Sequence, residues 1–284
     1  MIRVQGGSAV IGVCGLPINI EYFPDGTPHI RVEPETRAID GIITLEWQYE
    51  PNEEMALYYV ARHIRETWAP RQLDLYMPYI PNARMDRVEE LAEVFTLKYF
   101  CEFINSMKFD NVIVRDAHSS VSLALLDRVI SSNISSNITR VLHLLHEENA
   151  AYQYYDEMPC GVAVYPDEGA AKRYSKILDN RYLFGVKKRN WQDGKIIGLE
   201  IHGDIPESPY YAVIIDDICS YGGTFLHTAR KLKELGAERI YLYVTHCENS
   251  ILKGELINSG LLERIYTTNS IYSGDHTLIH VIGE

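Results

Sequence analysis

Positive charge is the scarce commodity in this chain: 27 Lys and Arg stand against 39 Asp and Glu over 284 residues, for a formal net charge of −12. A nucleic-acid-binding surface normally shows a basic stripe, so the balance argues against that class. It leaves anionic small substrates open, because a site needs only a few placed cations. Cysteine is sparse as well. The five residues Cys14, Cys101, Cys160, Cys219 and Cys247 are scattered, odd in number and form no CxxC. That pattern argues against a disulfide framework or a zinc centre and for a reducing, cytoplasmic setting. No apolar run approaches the length of a membrane span, so no membrane partner is expected. The opening MIRVQGGSAVIGVCG carries one Arg and a short apolar stretch, and reads as a first buried strand rather than a signal peptide. No internal repeat is evident, and the 20 Tyr point to no function.

The segment Tyr211 to Thr224, YAVIIDDICSYGGT, carries the most information. Ala212 to Ile215 reads as a buried strand that ends in the adjacent carboxylates Asp216 and Asp217. It then passes through Gly222-Gly223-Thr224 into a helical pattern. Phe225, Ala229, Leu232 and Leu235 share one face of that helix. A strand, an acid pair, a glycine turn and a helix start suit a phosphorylated sugar. Backbone N–H groups at the helix start can take a phosphate, and carboxylates can accept hydrogen bonds from ribose hydroxyls. The alternative is an ordinary βα loop, where acids near a helix N-terminus are mildly favourable anyway.

Short apolar strands alternate with helical patterns, which predicts an α/β fold with mostly parallel strands. Four strand-like runs, within residues 73–87, 111–120, 161–173 and 211–223, end in polar clusters. In open parallel sheets such ends carry the ligand. Helices are expected at 55–68, with Met55, Tyr59, Ala61 and Ile64 near helical spacing, and at 89–107. The chain divides near residues 141–160, giving domains 1–145 and 146–284. His143 and His146 lie beside Glu147 and Glu148, and read as a partly exposed helix end rather than a metal site. Residues 187–209 read as one long loop opening on Lys187-Lys188-Arg189, either a functional lid or a solvated basic loop.

In order and spacing, these clusters resemble the ribose-phosphate pyrophosphokinases, or phosphoribosyl pyrophosphate (PRPP) synthetases, from about Tyr22 to Ile271. Tyr22-Phe23-Pro24-Asp25-Gly26 is similar to the family's adenine-binding FxDGE segment. Residues 77–87, MPYIPNARMDR, resemble its PYxxYARQDR stretch on the ATP phosphates. Val114-Arg115-Asp116-Ala117-His118 looks like its VDLH strand end, and residues 165–173, YPDEGAAKR, like SPDxGGxxR. Lys187-Lys188-Arg189 falls where the family keeps KRR on a flexible loop. Asp216 to Thr224 takes the place of its loop DDxxDTGGT.

The resemblance implies two similar phosphoribosyltransferase-like α/β domains with mostly parallel sheets. It also implies diphosphoryl transfer from ATP, with Mg²⁺, to the anomeric hydroxyl of a ribose 5-phosphate unit. On that basis Phe23, Asp25, Arg84, Asp86 and Arg87 bind ATP, and His118 and Asp167 serve the metal. Lys187 and Arg189 close over the transferring group. Asp216 and Asp217 hold the ribose hydroxyls, while Ser220, Tyr221, Gly222, Gly223 and Thr224 cradle the 5-phosphate. A homodimer or homohexamer is implied, with the Phe23 segment completing a neighbour's adenine pocket. Three departures bear on substrate: Thr27 replaces the family's Glu, Met85 its Gln, and Ser220-Tyr221 its Asp-Thr. Ser220 keeps a hydroxyl donor, and Tyr221 either narrows the pocket or offers a stacking surface outside it. The acceptor is therefore either ribose 5-phosphate or a 5-extended unit such as ADP-ribose, whose 1-diphosphate suits NAD rebuilding. The alternatives are a regulatory homologue of weak activity and a phosphoribosyltransferase, which shares the acid-pair loop but leaves the FPDG and ARMDR segments unexplained.

Overall fold

The computed structural model describes residues 1–6, 16–32, 41–132, 134–149, 161–177, 182–189, 196–206 and 209–283. They form two compact units, Met1–Asn133 and Ile134–Gly283.

The first unit runs β1 (Ile2–Gly6), β2 (Leu16–Pro17), β3 (Asn19–Tyr22), β4 (Pro28–Arg31), β5 (Ile42–Trp47), α1 (Glu54–Thr67), β6 (Gln72–Met77), α2 (Thr96–Ser106), β7 (Asn111–Arg115), α3 (Ser120–Leu125) and β8 (Val129–Ser132). Its main sheet has the order β2-β1-β5-β6-β7-β8, while β3 and β4 pair separately. β5 to β8 are parallel, and β1 joins antiparallel to β5. Because β5, β6 and β7 follow one another in space, right-handed crossovers bring α1 and α2 to one face. There they pack on Ile43, Leu45, Trp47, Leu73, Leu75, Val112 and Val114. The alternate residues make a polar opposite face. Thr44, Asp74 and Arg115 are buried on it, and Asp74 accepts hydrogen bonds from Gln72 and Asn111 at 2.8 and 2.9 Å. Arg115 donates to the Tyr76 hydroxyl. Burial raises the Glu46 carboxyl pKa against the opposing charges of Arg3 and Arg115.

The sequence expectations for both helices need correction. α1 buries Ala56, Leu57, Val60, Ala61 and Ile64, while Met55 and Tyr59 are exposed. Each large apolar side chain so buried contributes about 1.5–3 kcal/mol. α2 begins only at Thr96, not at residue 89. The Glu93 carboxylate accepts from the backbone N–H groups of Glu89 and Glu90, closing a local turn ahead of the helix. Leu91 and Val94 stay exposed.

The second unit runs α4 (Ser135–Glu148), β9 (Gly161–Tyr165), α5 (Glu168–Tyr174), β10 (Tyr182–Arg189), β11 (Ile196–His202), β12 (Tyr210–Cys219), α6 (Gly223–Glu234), β13 (Ala237–Cys247), β14 (Arg264–Thr267) and β15 (Ile279–Val281). The border drawn from sequence at 145/146 falls inside α4, whose Ile138, Val141 and Leu145 pack with Tyr165, Tyr211 and Val213. The sheet order is β11-β10-β9-β12-β13-β14-β15, parallel throughout except for β11. This sheet is apolar on both faces. Val162, Ala212 and Ile214 pack with the α6 residues Phe225, Ala229 and Leu232. Tyr211, Val213 and Ile215 pack with α4 and with Ala170 and Tyr174 of α5.

Residues 187–209 are not one loop. β10 and β11 pair antiparallel from Phe184↔His202 to Lys187↔Leu199, with a register shift between Lys188 and Arg189. Lys187 and Arg189 thus lie on the outgoing strand of a hairpin arm; their side chains fall outside the described residues.

Candidate active site

The chain leaves β9 toward β10 on one side and returns as β12 on the other. The strand order therefore reverses between β9 and β12, the place where open α/β sheets hold ligands beyond their carboxyl ends. Asp167 follows β9, and Asp216 and Asp217 close β12, so the fold brings these three acids to one sheet edge.

They are not equivalent. Asp167 caps α5, accepting from the Ala170 N–H at 3.1 Å. Asp217 is 3 % exposed and pairs with Arg173 of the same short helix. Burial works against the Arg173 charge, but Asp217 and Tyr174 together outweigh it and hold the guanidinium pKa above its usual value. Arg173 also lies over the Tyr174 ring, 5.7 Å from its centroid. Asp216 keeps an intermediate exposure and accepts from the Asp217 N–H at 2.9 Å. Its carboxyl pKa is raised well above 3.8, first by burial and then by the charge of Asp217, with a smaller contribution from Asp167. The site therefore concentrates negative charge that a cation would relieve.

The turn after β12 is built by contacts from farther along the chain. Gly222 adopts a left-handed φ of 81° and stands at the N-terminus of α6, which has no side-chain cap there. The first N–H groups of such a helix suit an anion. The Ser220 hydroxyl donates to the Glu248 carboxylate at 2.6 Å, which also accepts from Ser250 at 3.1 Å. The Glu248 N–H donates to the Cys219 carbonyl at 2.8 Å. The Tyr221 carbonyl lies so close to Gly254 that a β-carbon there would meet it at 2.0 Å. The Tyr221 ring itself is 61 % exposed. Sequence reasoning missed Glu248 and Arg173 as site residues. Glu248 directly follows a parallel strand, the position that should have drawn notice.

In the first unit, Arg84 follows β6 and His118 follows β7, so both leave the same edge of a parallel sheet. Asp116 turns the chain with a φ of 41°, and Ser119 caps α3 just after His118 by accepting from Val121. Arg84 is exposed, Asp86 is partly so, and Arg87 pairs with Glu89 at 3.0 Å. Phe23 is 53 % exposed in the turn between β3 and β4, its ring 5.5 Å from that of His29. Asp25 accepts from the Thr27 hydroxyl at 2.7 Å and its N–H at 3.0 Å; these bonds, the hydroxyl's first, lower its pKa. Thr27 thus serves its own turn.

The arrangement defines an α/β protein with mostly parallel sheets and an acid pair and glycine turn at the switch point of the second. The family model of the phosphoribosyl synthetase-associated domain matches residues 194–279. The ribose-phosphate pyrophosphokinase of Hyphomonas neptunium is 25 % identical over 262 residues, covering 91 % of this chain and 80 % of that one. That of Shewanella oneidensis is 27 % identical over 270 residues, covering 93 % and 79 %. Among solved structures, the phosphoribosylpyrophosphate synthetase of Mycobacterium smegmatis superposes with a TM-score of 0.73. It is 18 % identical and covers 95 % of this chain and 87 % of that one, a likeness of fold. Over most of its length the chain is thus similar to ribose-phosphate pyrophosphokinases.

Proposed function

We propose that the protein is a Mg²⁺-dependent pyrophosphokinase that transfers the β,γ-diphosphoryl group of ATP to the anomeric hydroxyl of a ribose 5-phosphate unit. The observation that carries this reading is the placement of Asp216, Asp217 and the Gly222 turn at the β9/β12 switch point, beside Asp167. The 1-oxygen of the sugar attacks the β-phosphorus, the bond to the α-phosphate oxygen breaks, AMP leaves and the hydroxyl proton is released. Such a reaction needs positioning and charge neutralisation more than covalent help.

Asp216, the more accessible of the pair, accepts from the ribose hydroxyls and orients C1. Asp217, fixed by Arg173, holds the strand tip in place. The start of α6 takes the 5-phosphate. Among the described residues no group of three or more metal-ligating side chains occurs. Magnesium needs no such cage, since it keeps waters and substrate phosphates as ligands. The crowded charge of Asp216 and Asp167 fits it; within the first unit, His118 after β7 is the residue suited to serve a metal. Magnesium bound there supplies charge neutralisation for the triphosphate. Arg84, Asp86 and Arg87 contact the nucleotide, with Phe23 and Asp25 at its base. Lys187 and Arg189, on the outgoing strand of the hairpin arm, close over the transferring group. The exposed Tyr22 and Phe23 suit completion of a neighbouring subunit's pocket in a homodimer or homohexamer.

For the acceptor, the exposed Tyr221 ring favours the extended reading. A distal adenine stacked on it contributes about 1 kcal/mol or somewhat more, and ADP-ribose would yield its 1-diphosphate, suited to NAD rebuilding. The test is AMP release from ATP and Mg²⁺ with ribose 5-phosphate or ADP-ribose. AMP release no faster than with ATP alone, for both sugars, sinks the proposal. Efficient use of ribose 5-phosphate with ADP-ribose inert removes the extended acceptor.

A further inference from the structure

Position 220 is where the family's loop pattern DDxxDTGGT carries an aspartate, and here it is a serine. The carboxylate has not left the turn. Glu248, on the far side of β13, reaches back to accept the Ser220 hydroxyl at 2.6 Å. A second serine, Ser250, steadies it at 3.1 Å. Its own N–H is bonded to the Cys219 carbonyl at 2.8 Å, so backbone and side chain grip the same turn. The grip continues downstream, where Gly254 admits the Tyr221 carbonyl and Leu256 lies against Gly222. A hydrogen bond to an ionised acceptor is roughly twice as strong as one between neutral groups. The Ser220–Glu248 contact is therefore the strongest of the three fastenings.

We infer that Glu248 is a positioning residue of the ribose-phosphate turn, supplying from the neighbouring strand the carboxylate that position 220 lacks. The inference rests on the proposed reading that this turn receives a sugar phosphate. Glu248 does not touch the reacting atoms. It fixes Ser220, and through it the backbone entering Gly222 and the start of α6. Its removal should weaken acceptor binding while leaving the chemical step nearly intact.

The test uses the full chain and four variants: Glu248→Ala, Ser220→Ala, the double alanine, and Ser220→Asp with Glu248→Ala. Binding of ribose 5-phosphate and of ADP-ribose is measured by calorimetry, and AMP release gives KM and kcat. Thermal melting confirms folding. Glu248→Ala and Ser220→Ala should each raise the Kd and KM of the preferred acceptor by about tenfold, equivalent to about 1.4 kcal/mol, with kcat within about threefold. The double alanine should be no worse than Glu248→Ala alone, because that variant already removes the Ser220–Glu248 contact. Ser220→Asp should rescue Glu248→Ala to within about twofold. Additive losses, a failed rescue or an unchanged Kd in Glu248→Ala overturn the inference. So does a wild-type protein that binds neither sugar. Binding that follows the expected pattern without any AMP release sinks the proposed reaction and leaves the positioning role standing.

Discussion

Gly222 is the residue at which fold and site are most tightly bound together, and replacing it with alanine gives a prediction with a worked magnitude. Two costs add. Its φ of 81° lies in the left-handed region, which costs an L-residue roughly 1–2 kcal/mol. A β-carbon would also meet Leu256 Cδ2 at 2.6 Å and Leu256 Cβ at 2.8 Å. Leu256 is 1 % exposed and cannot swing away freely, so overpacking adds about 1–3 kcal/mol. The sum is about 2–5 kcal/mol. For a unit of this size, a loss of about 3 kcal/mol lowers the melting temperature by about 6–12 °C. Gly223 is the internal control: its added β-carbon meets nothing within 4 Å, and Gly223→Ala should stay within about 0.5 kcal/mol of wild type. Urea and thermal melts of both variants, run side by side, make the comparison. Adding Leu256→Ala should shrink the cost of Gly222→Ala in part, because it removes the Cδ2 overlap while the β-carbon of residue 256, at 2.8 Å, stays. Equal stability of Gly222→Ala and Gly223→Ala would refute the reasoning.

Other perturbations follow the same physics. Asp216 holds its proton more tightly folded than unfolded. Its ionisation therefore costs stability that is absent below about pH 3.8, grows as pH rises toward the folded value and is full above it. Asp216→Asn should melt higher than wild type near neutral pH and equally near pH 3, while losing acceptor-dependent AMP release. Magnesium should raise the wild-type melting temperature more than that of the variant; equal shifts count against a cation at this acid. Lys187→Ala and Arg189→Ala should each keep ATP binding by calorimetry and lose about 100-fold or more in turnover, and unchanged rates would remove them from the reaction. Burial pushes the Cys101 thiol up to about 11, and a hydrogen bond with Cys247 together with burial raises that of Cys219. Neither should take up iodoacetamide at about pH 8 until the protein is denatured, as read by peptide mass mapping.

Much of the architecture was legible because apolar runs and their polar ends obey simple periodicities. β7 and β9 lie within runs marked from sequence, β6 and β12 begin one residue before theirs, and each ends near its polar cluster. The errors have local causes. Residues 89–95 have helical composition, yet they form turns in which the Glu93 side chain accepts from the backbone of Glu89 and Glu90, a contact that composition does not show. The arm β10–β11 was taken for a loop because its cations masked the strand pattern. Asp193-Gly194 between two apolar runs was the hairpin signal to heed. The polar face of the first sheet was written in the alternation Thr44, Glu46 and Asp74, Tyr76, but only the apolar half was read. At the candidate site, the acids and glycines announced themselves as neighbours in sequence. Glu248 did not, since its partner lies 28 residues away, and only strand pairing brings them together.

That separation bears on how such a pocket can be inherited. Residues 220–222 owe their shape to Glu248, Gly254 and Leu256, so transplanting the short turn alone into a related scaffold would leave its supports behind. Whatever recognition the turn confers travels as a two-part cassette, one segment from each side of β13. Exchanges that break the pair should yield hybrids that fold yet grip their sugar loosely.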